Sequence, residues 1–494
     1  MLGLAFWLRT ESSQLRLFHA DEGVQSYQAW RLIEEGEYRY DPGEHHGPLL
    51  YFVTKWMYPF ISRANGELTD EGMRRVPMLF SMGTVFLGLL VFRKYGRADA
   101  LLWGMIVAAA PLCVIYGSYY VQEALLVCFT LGFAFGIYRY WQYPSMGAAV
   151  GVGIALGLMH ITKETAVLHV AAIMGAGLIT VLLRSEKPSI GLSGLFRHLG
   201  VVAGIALLLH CLFFSSFFQN PKGIVDGFAT FFSYAERSQG QGHEKPFFYY
   251  ASLLLPQRLE GVRWSELAFL IATLLGVVGA VAKLRADGFR FFIVGSGLLM
   301  FFVYSIIPYK NPWLMLAPYC FLAFSAAIGV VEVLHYGRSL RNAPGKWGVV
   351  VCGLGLLFWL TAELRQNHDK ALVRYASASR NPYLYMHTTP RYSKLLDRLE
   401  SVKGLEEIAV YSPDAAWPLP WHLRGWTKVG YWTDLNSYQA GGIDVFDTRL
   451  MEGQEHLAAS GGFWELHGLR PNTILALRAT DERGESWVSS NAED

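Results

Sequence analysis

Charged and histidine side chains that could carry out chemistry are concentrated in a few short segments between long apolar stretches. Because ionisable groups beside a lipid bilayer are costly, we take these residues as candidates for a functional site. The set comprises His19, Asp21, Glu22, Asp41, Glu44, His45, His46, Glu123, Lys163, Glu164, Glu236, Arg237, His243 and Lys310. Several distant segments that converge on one face would form a single cavity.

Asp21 and Glu22 lie in the segment FHADEG, directly before residues 24–33, whose apolar spacing predicts an amphipathic interfacial helix. One interpretation makes Asp21 the N-cap of that helix, because an Asp side chain accepts hydrogen bonds from backbone N–H groups. The other makes it a general base that deprotonates an acceptor hydroxyl group. The two roles are compatible. We therefore predict Asp21 as the catalytic carboxylate, with Glu22 beside it.

His45 and His46 follow in the segment EHHGPLLY. Adjacent histidines on regular structure point in different directions, so the pair is a poor bidentate metal site. One histidine with Asp21 or Glu22 could hold a divalent cation, but no ligand spacing enforces such a site. We predict that His45 and His46 contact substrate, assign no metal ligand, and keep a divalent cation as an alternative.

Two isolated lysines lie in short turns, Lys163 in HITKET and Lys310 in PYKNPW. Lys163 either extends to the lipid headgroups or faces a lipid phosphate, with Glu164 setting its position. Prolines on both sides of Lys310 break the helices there, and broken backbone at membrane depth is tolerated where it is buried or lines a cavity. The pattern therefore favours a functional role for Lys310.

About ten apolar stretches reach the length of roughly 20 residues that a membrane-spanning helix needs. They lie near residues 76–92, 99–117, 121–140, 146–160, 164–183, 199–218, 265–283, 289–307, 312–334 and 347–363. The apolar start, residues 2–8, is too short for an eleventh span, and we expect that upstream codons complete a first helix. With 52% hydrophobic and 17% charged residues, the chain is predicted to be an all-α polytopic membrane protein with about 10–11 transmembrane helices. A net charge of +2 without a basic run excludes an electrostatic nucleic-acid binder.

The basic residues alternate between loops. In one alternate set of loops, each loop carries three basic residues: Arg93, Lys94 and Arg97; Arg184, Lys187 and Arg197; Lys283, Arg285 and Arg290; Arg338, Arg341 and Lys346. The opposite short loops carry only Lys163 and Lys310. The positive-inside rule places the first set in the cytoplasm. We therefore predict a multi-pass protein of the cytoplasmic (inner) membrane, with segments 9–75 and 219–264 and the tail outside.

The tail differs from the rest of the chain, because charged residues return from about residue 366 onward. The apolar runs 408–411 and 473–477 are β-branched and strand-like, whereas residues 392–402 have helical spacing. We predict a transmembrane domain at 1–364, with the active site in segment 9–75, and a small extracytoplasmic α/β domain at 365–494.

Several sequence blocks resemble those of known membrane proteins. HADEG followed by HHGPLLY resembles the GT-C superfamily, which includes protein O-mannosyltransferases and the lipid A aminoarabinose transferase. The blocks YRYDPGEHHGPLLY, TKET, FSYAERSQG, IPYKNPW, NPYLYMHTTP and DAAWPLPWHLR are more closely similar to those of the flippase-activity-associated membrane proteins of N-glycosylation pathways. The resemblance extends over nearly the whole chain and implies a GT-C-like transmembrane fold.

The resemblance also implies a reaction. A sugar on a polyprenyl phosphate would be transferred, with inversion, to a glycan or protein acceptor on the outer face of the membrane. The acidic base of the first outer loop corresponds to Asp21. Lys163, Arg237 and Lys310 become candidates for binding the donor phosphate, and the candidate substrate contacts are His45, His46, Glu164, Trp417, Trp421, His422 and Arg424. A first helix missing from the sequence departs from the family pattern and would leave the base poorly held.

Two alternatives stay open at the level of sequence. The aromatic residues of WPLPWHLR either stack on sugars or pack within the tail domain and against the membrane interface. The whole protein either transfers sugar or is a non-catalytic partner of a lipid-linked-glycan flippase. A secondary transporter is disfavoured because the charged residues lie at the outer rim and no two related halves are visible.

Overall fold

The computed structural model describes residues 1–36, 38–43, 46–184, 190–237, 244–340, 343–436, 438, 442–454, 457 and 461–490. Most of this part of the chain is helical. The first twelve helices are α1 (Leu2–Leu15), α2 (Ala20–Glu34), α3 (Leu49–Ile61), α4 (Asp70–Phe92), α5 (Arg97–Ala109), α6 (Pro111–Gly117), α7 (Glu123–Gln142), α8 (Met146–Thr162), α9 (Ala166–Arg184), α10 (Leu192–Phe214), α11 (Gly223–Arg237) and α12 (Tyr249–Leu254).

After a short hairpin of β1 (Gln257–Leu259) and β2 (Val262–Trp264), further helices follow. They are α13 (Leu267–Ala282), α14 (Gly288–Ile306), α15 (Leu316–Ser339), preceded by a 3-10 turn at Pro312–Met315, and α16 (Ala343–His368), which continues as a π-helical turn at Asp369–Arg374. The tail adds α17 (Arg391–Ser401), α18 (Leu419–His422), α19 (Thr448–Met451) and α20 (Asp481–Ser490).

Apolar helices of membrane-spanning length dominate the first part of the chain. Within the described residues, seven helical segments are long and apolar enough to cross a membrane, and the bent pair α5–α6 raises that number to eight. The apolar helices α8 and α13 are shorter. All ten stretches predicted as spans are therefore helical, and the predicted polytopic membrane class is confirmed.

The span predicted at 99–117 is broken between α5 and α6, whose axes differ by 64°. Pro111 lacks an N–H group, so the carbonyl group of Val107 loses its helical donor. The buried Arg9 guanidinium of α1 replaces it, donating to the carbonyl oxygens of Val107 at 3.1 Å and Ala108 at 3.2 Å. Its Nε also donates to Ser81 at 2.7 Å. α1 therefore stabilises the broken helix.

The chain divides into two compact units. The first contains Met1–Leu15 and Arg31–Ala376, and the second contains Arg16–Trp30 and Ser377–Asp494. Most of α2, including the FHADEG segment before and within its first turn, is therefore grouped with the tail rather than with the apolar helices.

The second unit is built on a five-stranded sheet in the order β4-β3-β5-β7-β6. Its strands are β3 (Ile408–Tyr411), β4 (Val429–Trp432), β5 (Ile443–Asp447), β6 (Phe463–Arg470) and β7 (Thr473–Ala479). β3 is parallel to β4 and β5, whereas β7 is antiparallel to β5 and β6. The predicted strand at 408–411, the strand at 473–477 and the helix at 392–402 are confirmed, as is the small α/β class of the tail.

Candidate functional site

In the first unit, the candidate residues of the first outer segment lie against the end of α8. Gly47 makes this close approach possible, because a Cβ at this position would lie 2.3 Å from the carbonyl oxygen of Ile161. His46 is thereby brought to Glu164, and its Nδ1 lies 2.9 Å from the Glu164 Oε2. The hydroxyl group of Tyr234, in α11, lies 3.0 Å from the same nitrogen. The structure therefore brings together His46 and Glu164, which are 118 positions apart in the sequence.

Lys163 ends α8 and is paired with a carboxylate. Its ammonium group donates a hydrogen bond to Oε1 of Glu123, the first residue of α7, and both side chains are buried. The second oxygen of Glu123 has no hydrogen-bond partner among the described residues. Burial alone would lower the pKa of Lys163, but Glu123 and Glu164 raise it above its ordinary value. Lys163 is therefore a charged group that already has a counter-ion.

Glu164 completes this cluster. Burial alone would raise its pKa, but His46 and Lys163 lower it below the ordinary value. Glu164 is thus an ionised carboxylate that accepts a hydrogen bond from His46. Lys163 faces two carboxylates in this cluster, so it attracts an incoming phosphate less strongly than an unpaired ammonium group would.

The buried histidine His169, in α9, was not predicted as a site residue. Its Nδ1 lies 2.8 Å from the Thr130 hydroxyl group, and its Nε2 lies 2.9 Å from the hydroxyl group of Tyr304 in α14. The signal in the sequence was a histidine inside an apolar span.

Lys310 lies just after α14 and is buried, at 1% exposure. Its ammonium group donates to the carbonyl oxygens of Ile307 at 2.5 Å and Lys245 at 3.1 Å. No carboxylate of the described residues lies within 4 Å of it. Burial lowers the pKa of Lys310, as expected for an ammonium group held only by neutral acceptors. An anionic ligand would neutralise the positive charge of the Lys310 ammonium group.

In the second unit, Asp21 and Glu22 have different surroundings in the first turn of α2. Glu22 is fully buried, and its Oε2 accepts a hydrogen bond of 3.1 Å from the backbone N–H of His19. This is the reciprocal half of a capping box. The His19 ring accepts a hydrogen bond of 3.0 Å from the backbone N–H of Asp21. The N-terminal capping predicted for Asp21 is thus provided by its neighbours.

The carboxylate of Asp21 is half-exposed, with 48% of its side-chain surface accessible. The Nδ1 atom of the His19 ring lies 4.0 Å from the Asp21 Oδ2, and no Lys or Arg of the described residues lies within that distance. None of the described residues donates a hydrogen bond to this carboxylate. Its lone pairs are therefore available to a substrate, whereas Glu22 is committed to the helix.

The aromatic block at 417–424 makes packing contacts in the second unit. Trp421 is fully buried, with the Phe18 ring stacked at 5.9 Å and the Arg424 guanidinium 3.5 Å from its centroid. His422 Nδ1 lies 2.9 Å from the Tyr392 hydroxyl group. Trp417 is half-buried, and the Tyr27 ring lies 5.7 Å from it. The packing alternative describes the contacts of Trp421, whereas Trp417 keeps part of its aromatic surface accessible to a sugar.

Two predicted site residues, His45 and the Arg237 side chain, lie outside the described residues. Among the side chains that the structure does describe, no three His, Cys, Asp or Glu residues are grouped closely enough to hold a metal ion.

Comparison with known proteins identifies the fold. The family model for dolichyl-phosphate-mannose-protein mannosyltransferase matches residues 46–209. ArnT from Cupriavidus metallidurans bound to undecaprenyl phosphate is similar with a TM-score of 0.61 and 15% identity over 96% of both chains. The apo structure of the same ArnT is similar with a TM-score of 0.61 and 14% identity over 97% of both chains.

The Archaeoglobus fulgidus oligosaccharyltransferase, in complex with zinc and sulfate, is similar with a TM-score of 0.52 and 12% identity. That match covers 97% of this chain and 73% of the other. No curated protein sequence matches the chain. The chain therefore has an ArnT-like GT-C fold, and its residues 46–209 match the mannosyltransferase family model.

Proposed function

We propose that this protein is a membrane glycosyltransferase that moves a sugar from a polyprenyl-phosphate donor to an acceptor on the extracytoplasmic face of the inner membrane. The GT-C fold and the mannosyltransferase-type domain support this class of reaction. One similar structure, that of ArnT, contains undecaprenyl phosphate, which is a lipid of the proposed donor type. The acceptor is a hydroxyl or amide group of a glycan or protein.

The proposed chemical step is a single displacement with inversion. A carboxylate takes the proton of the acceptor group as the acceptor atom forms a bond to the anomeric carbon of the sugar. The bond between that carbon and the phosphate oxygen breaks, and its electron pair leaves with the polyprenyl phosphate. The step needs a base and a means of stabilising the departing phosphate.

Asp21 is proposed as the base, because its carboxylate is half-exposed and none of the described residues donates a hydrogen bond to it. Glu22, next to it, already accepts a hydrogen bond and is buried. A base must reach the proton that it removes, and of the two carboxylates Asp21 meets that requirement.

Lys310 is proposed as the principal cation for the donor phosphate, because it is a buried ammonium group with only carbonyl partners among the described residues. Lys163 and Arg237 are further candidates, although Lys163 is already paired with Glu123. His46 and Trp417 are proposed to contact the substrate.

The experiment uses purified protein in nanodiscs and follows sugar loss from a panel of polyprenyl-phosphate-linked sugars by mass spectrometry. We expect turnover of at least one donor and the appearance of free polyprenyl phosphate. A Lys310→Met variant should raise KM for that donor. Absence of turnover across the panel, with faster movement of lipid-linked sugar across proteoliposomes, would instead support the flippase-associated alternative.

A further inference from the structure

The tail block NPYLYMHTTP, residues 381–390, forms hydrogen bonds with the segment that precedes α2. It follows the end of the first unit and precedes α17. Two of its residues bond to the chain immediately before α2. The Thr388 hydroxyl group donates to the carbonyl oxygen of Phe18 at 2.6 Å, and His19 Nε2 lies 2.9 Å from the carbonyl oxygen of Tyr385. The block is therefore connected directly to the segment that carries Asp21.

These contacts determine the tautomer of His19. A carbonyl oxygen only accepts hydrogen bonds, so His19 Nε2 carries the proton that is donated to Tyr385. Nδ1 is then an acceptor, and it receives the backbone N–H of Asp21 at 3.0 Å. A neutral His19 thus bridges the tail block and the Asp21 backbone.

The start of α2 is fixed further by packing. The Phe18 ring stacks on Trp421, and Gly23 lies so close to Pro418 that a Cβ there would be 2.9 Å from the Pro418 Cα. Glu22 closes the capping box with His19. Hydrogen bonds and packing therefore fix the backbone on both sides of Asp21, while its carboxylate stays accessible.

We propose that residues 385–388 of the tail are a positioning element for the catalytic base, with Thr388 and His19 as positioning residues. This inference rests on the proposed function, in which Asp21 is the base. The tail then contributes to turnover without touching the substrate, because its bonds hold Asp21 in the orientation that proton transfer requires. A shift of about 1 Å in such a group lowers turnover by as much as about a hundredfold.

The test compares Thr388→Val, which keeps the side-chain shape but removes the donor, with Thr388→Ser, which restores it. Ser401→Ala is the matched control, because Ser401 accepts a hydrogen bond of 3.0 Å from Trp487 elsewhere in the same unit. We expect Thr388→Val to lower kcat about tenfold or more, with KM unchanged within about twofold. Thr388→Ser and Ser401→Ala should keep the wild-type kcat.

Amide hydrogen exchange gives a second readout that needs no substrate. Thr388→Val should accelerate exchange at residues 19–23, and Ser401→Ala should not. Unchanged exchange and unchanged kcat in Thr388→Val would overturn the positioning role. If Asp21→Asn abolishes turnover while Thr388→Val retains it, only the positioning role fails. If Asp21→Asn retains turnover, the base assignment itself fails.

Discussion

Asp21 and Glu22 illustrate how two adjacent carboxylates acquire different roles from their surroundings. Glu22 turns inward and accepts the His19 N–H, whereas Asp21 is half-exposed and none of the described residues donates to its carboxylate. A carboxylate used as a helix cap is engaged and shielded, so it is a poor general base. The local geometry therefore separates a structural carboxylate from a candidate catalytic one.

The sequence predicted that both carboxylates belong to the site, but not that Glu22 caps the helix while Asp21 stays accessible. Asp is a preferred N-cap residue, so one interpretation of the sequence placed the cap at Asp21. The structure instead uses His19, which is not a usual capping residue, together with Glu22 three positions later. Similarly, Lys163 was recognised, but its partner Glu123 lies 40 positions away, and no local pattern predicts such a pair.

At the same scale, the Lys163–Glu123 pair allows a stability test. Lys163→Met leaves the buried Glu123 without its counter-ion, and breaking a buried pair in this way costs about 3–5 kcal/mol. We expect a clearly lower thermal midpoint in detergent. Adding Glu123→Leu removes the stranded charge and should recover most of the loss. A single variant as stable as the wild type would contradict the pairing.

At the scale of elements, α2 shows that a helix can be predicted correctly while the residues that pack against it are not. The amphipathic spacing at 24–33 predicted a helix at the membrane interface, and the helix is present as Ala20–Glu34. Tyr27 of α2 contacts Trp417, and His19, directly before the helix, contacts Tyr385. Both contacts join segments that are more than 350 positions apart in the sequence. Periodicity identifies the apolar face of a helix but not the partner that covers it.

The broken pair α5–α6 gives a prediction for α1. Arg9→Met removes the donors to Val107 and Ala108 and leaves two buried carbonyl oxygens without them. Each unsatisfied buried group costs about 1–3 kcal/mol, so the thermal midpoint should fall.

The matched control for this variant is Arg63→Met, which removes an exposed ion pair with Glu67. Such a pair is worth about 0–1 kcal/mol, so this change should be nearly neutral. Equal thermal midpoints for the two variants would contradict a stabilising role of Arg9 at the break between α5 and α6.

At the scale of the whole molecule, the basic loops predicted to be cytoplasmic gather at shared contacts. Arg290 bonds to Asp99 at 3.1 Å, and Lys283 bonds to Glu332 at 2.6 Å, which joins the ends of α5, α13, α14 and α15. Lys310, which is predicted to lie outside, follows the opposite end of α14. Which side of the membrane these loops face stays a prediction from the positive-inside rule.

Membrane orientation is tested with single cysteines in a background without the native ones. Lys403→Cys lies in the tail and Lys94→Cys in a predicted cytoplasmic loop, and both positions are exposed. A membrane-impermeant maleimide applied to intact spheroplasts should label Lys403→Cys alone until the membrane is opened. The reverse pattern would invert the proposed topology.

The overall architecture was largely predictable because spanning helices are specified locally by length and apolarity. All ten stretches and the strands of the tail at 408–411 and 473–477 could be found in this way. The break at Ala110 was not found, since apolar composition continues across it. The hydrogen-bond partners of His169 and Lys310 could not be predicted from the sequence either, because side-chain contacts between distant segments leave no local pattern.

The most direct test of the account compares Asp21→Asn with Glu22→Gln in nanodiscs, with a polyprenyl-phosphate sugar that the wild type turns over. The Gln side chain at position 22 still accepts the His19 N–H, so the helix start should be preserved. We expect Asp21→Asn to lose turnover by about a hundredfold or more, as removal of a general base does, while Glu22→Gln stays close to wild type. Undiminished turnover in Asp21→Asn would contradict the central claim that Asp21 is the base.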